Sequence, residues 1–198
     1  MRTPSPRRPV HSVVPRVAFS ALLLSLTIGL LSGCMASIAD PTIVAEPTMP
    51  ALAPPVFASS DEALAAATSA YSDYQSMSNA IAHEGGAEPQ RISKFAAGEV
   101  LESELSTYGR MAAEGLRLVG NLAFDSFSLQ SADLASGEVV AYVCLDVTET
   151  DVINRSGATV VPEGRSNRYP LQVSFVHKSS TNRLLVEKSD SWSGSNFC

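Results

Sequence analysis

The chain has 198 residues, 45% of them hydrophobic and 17% charged, with a formal net charge of −6. That length allows one domain with appendages but not two full-sized domains, and the apolar share excludes wholesale disorder. The acidic balance argues against a nucleic-acid partner, which a basic surface would serve, and three cysteines leave one over after any single pairing.

Residues 1–20 carry Arg2, Arg7, Arg8 and Arg16 and no acid. The apolar stretch that follows, residues 17–31, is shorter than the roughly 20 residues a membrane-spanning helix needs. A basic start and a short apolar run form the pattern of a secretory signal peptide. Small residues close it. Leu31, Ser32, Gly33 and Cys34 resemble the bacterial lipobox at all four positions. The resemblance implies that a signal peptidase removes residues 1–33 and that Cys34, acylated on its thiol, becomes the mature N-terminus. It implies in turn a lipid-anchored protein on the extracytoplasmic face of the cell membrane, since several acyl chains anchor stably where one binds only marginally. The alternatives are an uncleaved anchor helix or an ordinary signal peptide cut elsewhere. The long leader, rich in arginine and proline, is similar to those of actinobacterial lipoproteins. Cleavage would remove four arginines and no acid, making the charge more negative still.

Residues 34–59 are dominated by Ala, Pro, Thr and Val and punctuated by Pro41, Pro47, Pro50, Pro54 and Pro55. Such a segment reads as a disordered, semi-rigid tether that gains about 3.1 Å per residue in polyproline geometry. It serves either to reach through a cell wall or as a linker with no binding role. Ser59 followed by Glu62 is a capping-box pattern, so the domain is expected over 60–198.

Within 60–83, Ala63, Ala67, Ala70, Tyr74, Met77 and Ile81 recur in steps of three and four, one helical stripe with Tyr71 beside it. Gly85 and Gly86 supply the stop. Residues 91–95 suggest a short turn of helix. A second helix is expected from about Gly98 to Gly115, with Leu101, Leu105, Tyr108 and Ala112 on one face and Glu102, Glu104 and Arg110 elsewhere. The period then changes to two. Strands are expected at 124–130, with Phe127 and Leu129 on one face; at 138–147, with Val139, Ala141, Val143, Leu145 and Val147 on one face; at 169–178, with Leu171, Val173, Phe175 and His177 on one face; and at 183–192.

Helices first and an antiparallel meander of about four strands afterwards indicate an α+β fold, with the helices packed on one face of a curved sheet. This element order resembles that of the nuclear-transport-factor-2-like (NTF2-like) and cystatin-like cone-shaped folds. The residues 142–147 (Tyr142, Val143, Cys144, Leu145, Asp146, Val147) and the ending 192–198 are also similar to uncharacterised actinobacterial lipoproteins, from which no activity carries over.

With Cys34 assigned to the lipid, Cys144 and Cys198 remain, in a compartment where disulfides persist. Their pairing would pin the last residue across a strand. A metal site or a catalytic thiol are the competing readings; the first would want further Cys or His at close spacing, and His83 and His177 are the only histidines beyond the leader.

Candidate chemistry is sparse. His177 continues the apolar parity of its strand, so it could face a cavity between sheet and helices that Tyr71, Tyr74, Tyr108, Phe175 and Trp192 would line; the tyrosines equally suit a core. The NTF2-like resemblance implies that a cavity histidine could act with an acid as a general base, but Asp125, Asp146 and Asp190 have no spacing that demands pairing with His177. There is no glycine-rich phosphate loop, no nucleophile elbow and no zincin motif, and the basic residues are scattered. The chain is too short for a two-lobed solute receptor. The expectation is a lipid-anchored, non-catalytic binding domain without cofactor or metal, partnered by the membrane and by a component of the cell envelope such as a protein. The alternative is a cavity enzyme, or a binder of a small apolar ligand, that uses His177.

Overall fold

The structure, a computed structural model, describes residues 54–198. The leader, the lipobox with Cys34, and all but the end of the Pro-rich stretch lie outside the described residues.

The first helix, α1 (Ser60–His83), starts where the capping chemistry directs. Ser59 has extended backbone and its Oγ accepts the Glu62 amide at 3.1 Å, while the Glu62 carboxylate accepts the amide of Ala58 at 2.7 Å. The reciprocal bond thus reaches one residue further back than in a standard capping box. Packing against the core extends ahead of this cap: Phe57 is 7% exposed and its amide donates to the Leu134 carbonyl at 3.1 Å. At the other end, the Gly85 amide donates to Ala82 at 3.1 Å and the Gly86 amide to Ile81 at 2.8 Å, a Schellman closure. Gly86 has φ +83°, and a Cβ there would stand 2.2 Å from the Tyr108 carbonyl oxygen. Glycine here permits both the turn and the close approach of the second helix.

A 3₁₀ helix, Pro89–Lys94, leads to α2 (Gly98–Glu114). The buried face of α1 is Ala63, Ala67, Tyr71, Tyr74, Gln75, Ser78, Ile81 and Ala82. Tyr71 therefore sits at the centre of the stripe instead of beside it, and Ala70 and Met77 fall to its edge. In α2 the buried residues are Val100, Tyr108 and Met111. Leu101 and Leu105 are half-buried and Ala112 is exposed, so the face is rotated from the expected one. Steps of four from Val100 pass through Glu104 to Tyr108, which puts that glutamate on the buried side.

Six strands follow: β1 (Arg117–Val119), β2 (Ala123–Asp133), β3 (Glu138–Asp146), β4 (Asp151–Ile153), β5 (Arg168–Lys178) and β6 (Arg183–Ser191). β2, β3, β5 and β6 form an antiparallel sheet in that order, and β1 pairs with β4 in a separate two-stranded sheet. The fold is α+β. The four strands match the expected meander; β1 and β4, three residues each, were not expected. The far edge of β6 is partly occupied, because Ala97 donates to the Val186 carbonyl at 2.9 Å and Val186 to Phe95 at 3.0 Å.

Irregular register decides which side chains face the helices. β2 shifts register between Asp125 and Ser128 and again between Leu129 and Ser131, with Ser126 at φ +52°. The extra residues place Phe124, Phe127, Leu129 and Ala132 against the core although their spacing is three, two and three. β6 shifts opposite Ser174 and Phe175, skipping Glu187. Leu184 and Val186 lie opposite His177 and Phe175, and beyond the bulge Ser189 and Ser191 lie opposite Val173 and Leu171. Cross-strand partners share a face, so the inward row of β6 changes from aliphatic residues to serines.

The other face of the sheet is closed by the C-terminal tail. Cys144 and Cys198 form a disulfide with their Cα atoms 5.5 Å apart. The Trp192 amide donates to the Pro170 carbonyl at 2.8 Å. Tyr142 packs edge-on to Trp192 at 4.8 Å and tilted against Phe197 at 5.7 Å.

Candidate functional site

The residues expected to line a cavity divide into three places. Tyr71, Tyr74, Tyr108 and Phe175 belong to one buried cluster between helices and sheet. Tyr71, 1% exposed, meets Phe124 edge-on at 4.9 Å and Phe175 at 6.4 Å, and Phe127 lies 6.2 Å from Phe175. These rings interlock and fill the space under the helices. Trp192 is on the opposite face of the sheet with Tyr142. His177 stands at the end of β5, half-buried, with Nε2 3.1 Å from Asn182 Oδ1 in the β5–β6 turn.

Each buried phenol has a polar partner drawn from a helix, as a buried hydroxyl requires. The Gln75 amide donates to the Tyr71 hydroxyl at 3.0 Å. The Tyr108 hydroxyl donates to Ser78 Oγ at 2.9 Å. The Tyr74 hydroxyl donates to the Glu104 carboxylate, bridging α1 to α2. Burial pushes the Tyr71 phenol up to about 12 and the other two upward as well, with the negative charge of Glu104 adding to burial at Tyr74 and Tyr108. All three are therefore held as neutral hydrogen-bonding groups at ordinary pH.

The acids weighed as partners for His177 are engaged elsewhere. The Arg168 guanidinium grips both oxygens of Asp125 at 2.6 and 2.7 Å and Asp146 at 2.7 Å, tying β5 to β2 and β3. Hydrogen bonds from Arg168 hold the Asp125 carboxyl below its usual range, and hydrogen bonds from Thr148 do most to lower that of Asp146. Asp190 pairs with Lys188 at 3.2 Å.

A cleft of about 300 Å³ opens where β6 turns to serine. It is lined by Tyr74, Glu99, Val100, Ser103 and Ser189. Its origin is the bulge at Glu187: a small inward side chain at Ser189 leaves room beside the first turns of α2. The lining offers hydroxyls, a carboxylate and an aromatic edge, groups that hydrogen-bond and do not by themselves build a nucleophile–base pair. Among the described residues no group of three His, Cys, Asp or Glu is arranged to hold a metal.

Two functional-looking residues went unrecognised in sequence. Glu104 falls off the apolar face expected for the second helix, although its spacing of four from both Val100 and Tyr108 carries the signal. Asn79 was not singled out at all; it accepts the Leu122 amide at 2.9 Å and donates to the Leu122 carbonyl at 3.0 Å, clamping α1 to the start of β2. No local pattern marks such a long-range pair.

No protein-family model matches the chain, and no curated protein matches it. Among solved structures, the intermembrane-space region of the chloroplast protein ARC6 is similar at 13% identity and a TM-score of 0.47, over 65% of this chain and 95% of that one. A protein from Catenulispora acidiphila is similar at 14% identity and a TM-score of 0.41, over 63% and 89%. Neither likeness transfers an activity to this chain.

Proposed function

We propose that this chain is a bacterial lipoprotein, of actinobacterial type, whose domain is held by a lipid on Cys34 at the extracytoplasmic face of the cell membrane and acts there as a non-catalytic binding module. Its α+β domain is read as a cone of NTF2-like or cystatin-like type, set off from the membrane by the Pro-rich segment and engaging a protein of the cell envelope. The observation that carries the reading is the Cys144–Cys198 disulfide. It suits an exported protein, and it leaves Cys34, of the three cysteines, unaccounted for by pairing. The interlocked aromatic interior supports a surface-binding role over a cavity enzyme based on His177, whose ring is engaged by the neighbouring turn.

Metabolic labelling with a radioactive fatty acid tests the anchor. The natural chain is expected to incorporate label and to fractionate with membranes. The Cys34→Ser chain is expected to take up none. Label retained after that substitution, or none in the natural chain, overturns the reading.

A further inference from the structure

A pocket of about 360 Å³ lies where the 3₁₀ helix meets the neck of the β5–β6 hairpin. Lys94 ends the 3₁₀ helix, Lys178 ends β5 and Arg183 begins β6, and all three line this pocket together with Ser93, Thr181 and Leu185. No acid lines it, on a chain whose net charge is −6. The hydroxyls of Ser93 and Thr181 donate to the backbone carbonyls of Gln90 and Lys178, so the cations supply its free donors.

Two observations point to an anion. Lys178 and Arg183 are directly opposite in the β5–β6 register, and like charges so placed repel. Lys94 adds a third positive charge to the same concavity. Among the described residues, moreover, neither lysine forms an ion pair, whereas Lys188 is paired with Asp190. Arg183 is held in place by its neighbours: Nη2 is 3.0 Å from Asp73 Oδ2 and the guanidinium lies 5.1 Å over the Phe95 ring, residues that line an adjoining concavity. A guanidinium, with donors beyond the one that meets Asp73, and two ammonium groups without ion pairs on one concavity are the donor types that suit a phosphate, a forked donor and point charges. A second basic surface, lined by His83, Arg117 and Arg155, differs in having Glu84 among its lining residues.

We propose that Lys94, Lys178 and Arg183 form a binding site for a phosphate ester. A membrane lipid headgroup and a soluble glycerol phosphate carry the same chemistry. The site does not depend on the role proposed for Cys34.

Amine-reactive footprinting of the full chain tests it, because Lys94, Lys178 and Lys188 are its only lysines and Lys188 serves as internal reference. The chain is mixed with nanodiscs of zwitterionic lipid and titrated with glycerol phosphate; a parallel sample uses nanodiscs containing phosphatidylglycerol and no added ligand. A ligand at about ten times its dissociation constant leaves roughly one site in ten free, so labelling of Lys94 and Lys178 is expected to slow about tenfold with Lys188 unchanged. Protection by glycerol phosphate assigns a soluble ester, and protection only by the anionic nanodisc assigns a headgroup. Arg183→Gln is expected to abolish protection and Arg117→Gln to leave it intact, with circular dichroism confirming that both remain folded. Unchanged labelling in both arms overturns the proposal. So does equal slowing by sodium chloride at matched ionic strength, or protection that survives Arg183→Gln in a folded chain. Should that variant not fold, Lys94→Gln replaces it, with protection of Lys178 as the readout: its loss supports the site and its persistence overturns it.

Discussion

The helix-facing side of the four-stranded sheet and its opposite side are closed by different means. On the inner side Tyr71 of α1 interlocks with Phe124, Phe127 and Phe175 of the sheet, and the phenols of Tyr71, Tyr74 and Tyr108 are partnered by Gln75, Glu104 and Ser78. On the outer side a short tail lays Trp192 and Phe197 against Tyr142 and is pinned by Cys198. The inner side has two helices to supply volume. On the outer side residues 192–198 form neither helix nor strand, and a covalent bond holds them to the sheet.

The largest effect is expected on the inner side. Tyr71→Ala empties a buried site and is expected to lower stability by about 3–5 kcal/mol, read from urea unfolding. Tyr71→Phe keeps the ring but removes the acceptor for the Gln75 amide, and an unpartnered buried donor costs about 1–3 kcal/mol. Equal losses for the two variants would show that the hydrogen bond, not the ring, holds this side together.

Next comes the outer side. Cys198→Ser opens a loop with a sequence separation of 54 residues, and losing such a bond costs about 2–5 kcal/mol. The protein has a single tryptophan, and it lies on the side in question. The variant is therefore expected to shift Trp192 emission to the red while far-ultraviolet circular dichroism stays the same. A loss of helical signal at the same time would mean that the two sides are not independent.

The sides should also differ in their response to alkali. Burial raises the Tyr71 phenol from 10.0 to about 12, so the folded chain keeps a proton that the unfolded chain releases. The stabilisation is complete below pH 10 and is lost as pH rises towards 12, by about 1.4 kcal/mol per unit for that group. Urea midpoints measured between pH 9 and 12 are expected to fall with the same slope in the natural chain and in Cys198→Ser. A flat profile would place the tyrosine outside the core.

What was legible in the sequence follows the same division. The limits of α1 were written in Ser59, Glu62, Gly85 and Gly86, because caps are local chemistry. β3 was equally plain, with Val139, Ala141 and Val143 alternating without interruption, and export chemistry made the pairing of Cys144 with Cys198 the simplest use of two cysteines. The aromatic face of β2 was not legible. Phe124 and Phe127 are three apart, and only a bulge that lets Ser126 adopt a positive φ brings them to one side. Nor was the inward turn of Ser189, which depends on a bulge at Glu187. β1 and β4 are too short to show any period, and the expected face of α2 shares Tyr108 with the buried one but is rotated from it, because a tyrosine of α1 draws Glu104 to the buried side.

The smallest expected effect lies where the domain begins. Ser59→Ala removes the acceptor for the Glu62 amide, a cap worth about 1 kcal/mol, while leaving the Glu62 carboxylate bonded to Ala58. That carboxylate orders the segment carrying Phe57, which is buried and bonded to Leu134 at the end of β2. Phe57→Ala is therefore expected to destabilise the fold by more than Ser59→Ala, although Phe57 precedes the first helix. Thermal unfolding of the two variants decides the point. A loss for Phe57→Ala smaller than that for the cap would mean that the inner side is sealed by the helices alone, and that the chain ahead of Ser59 rests on the core without supporting it.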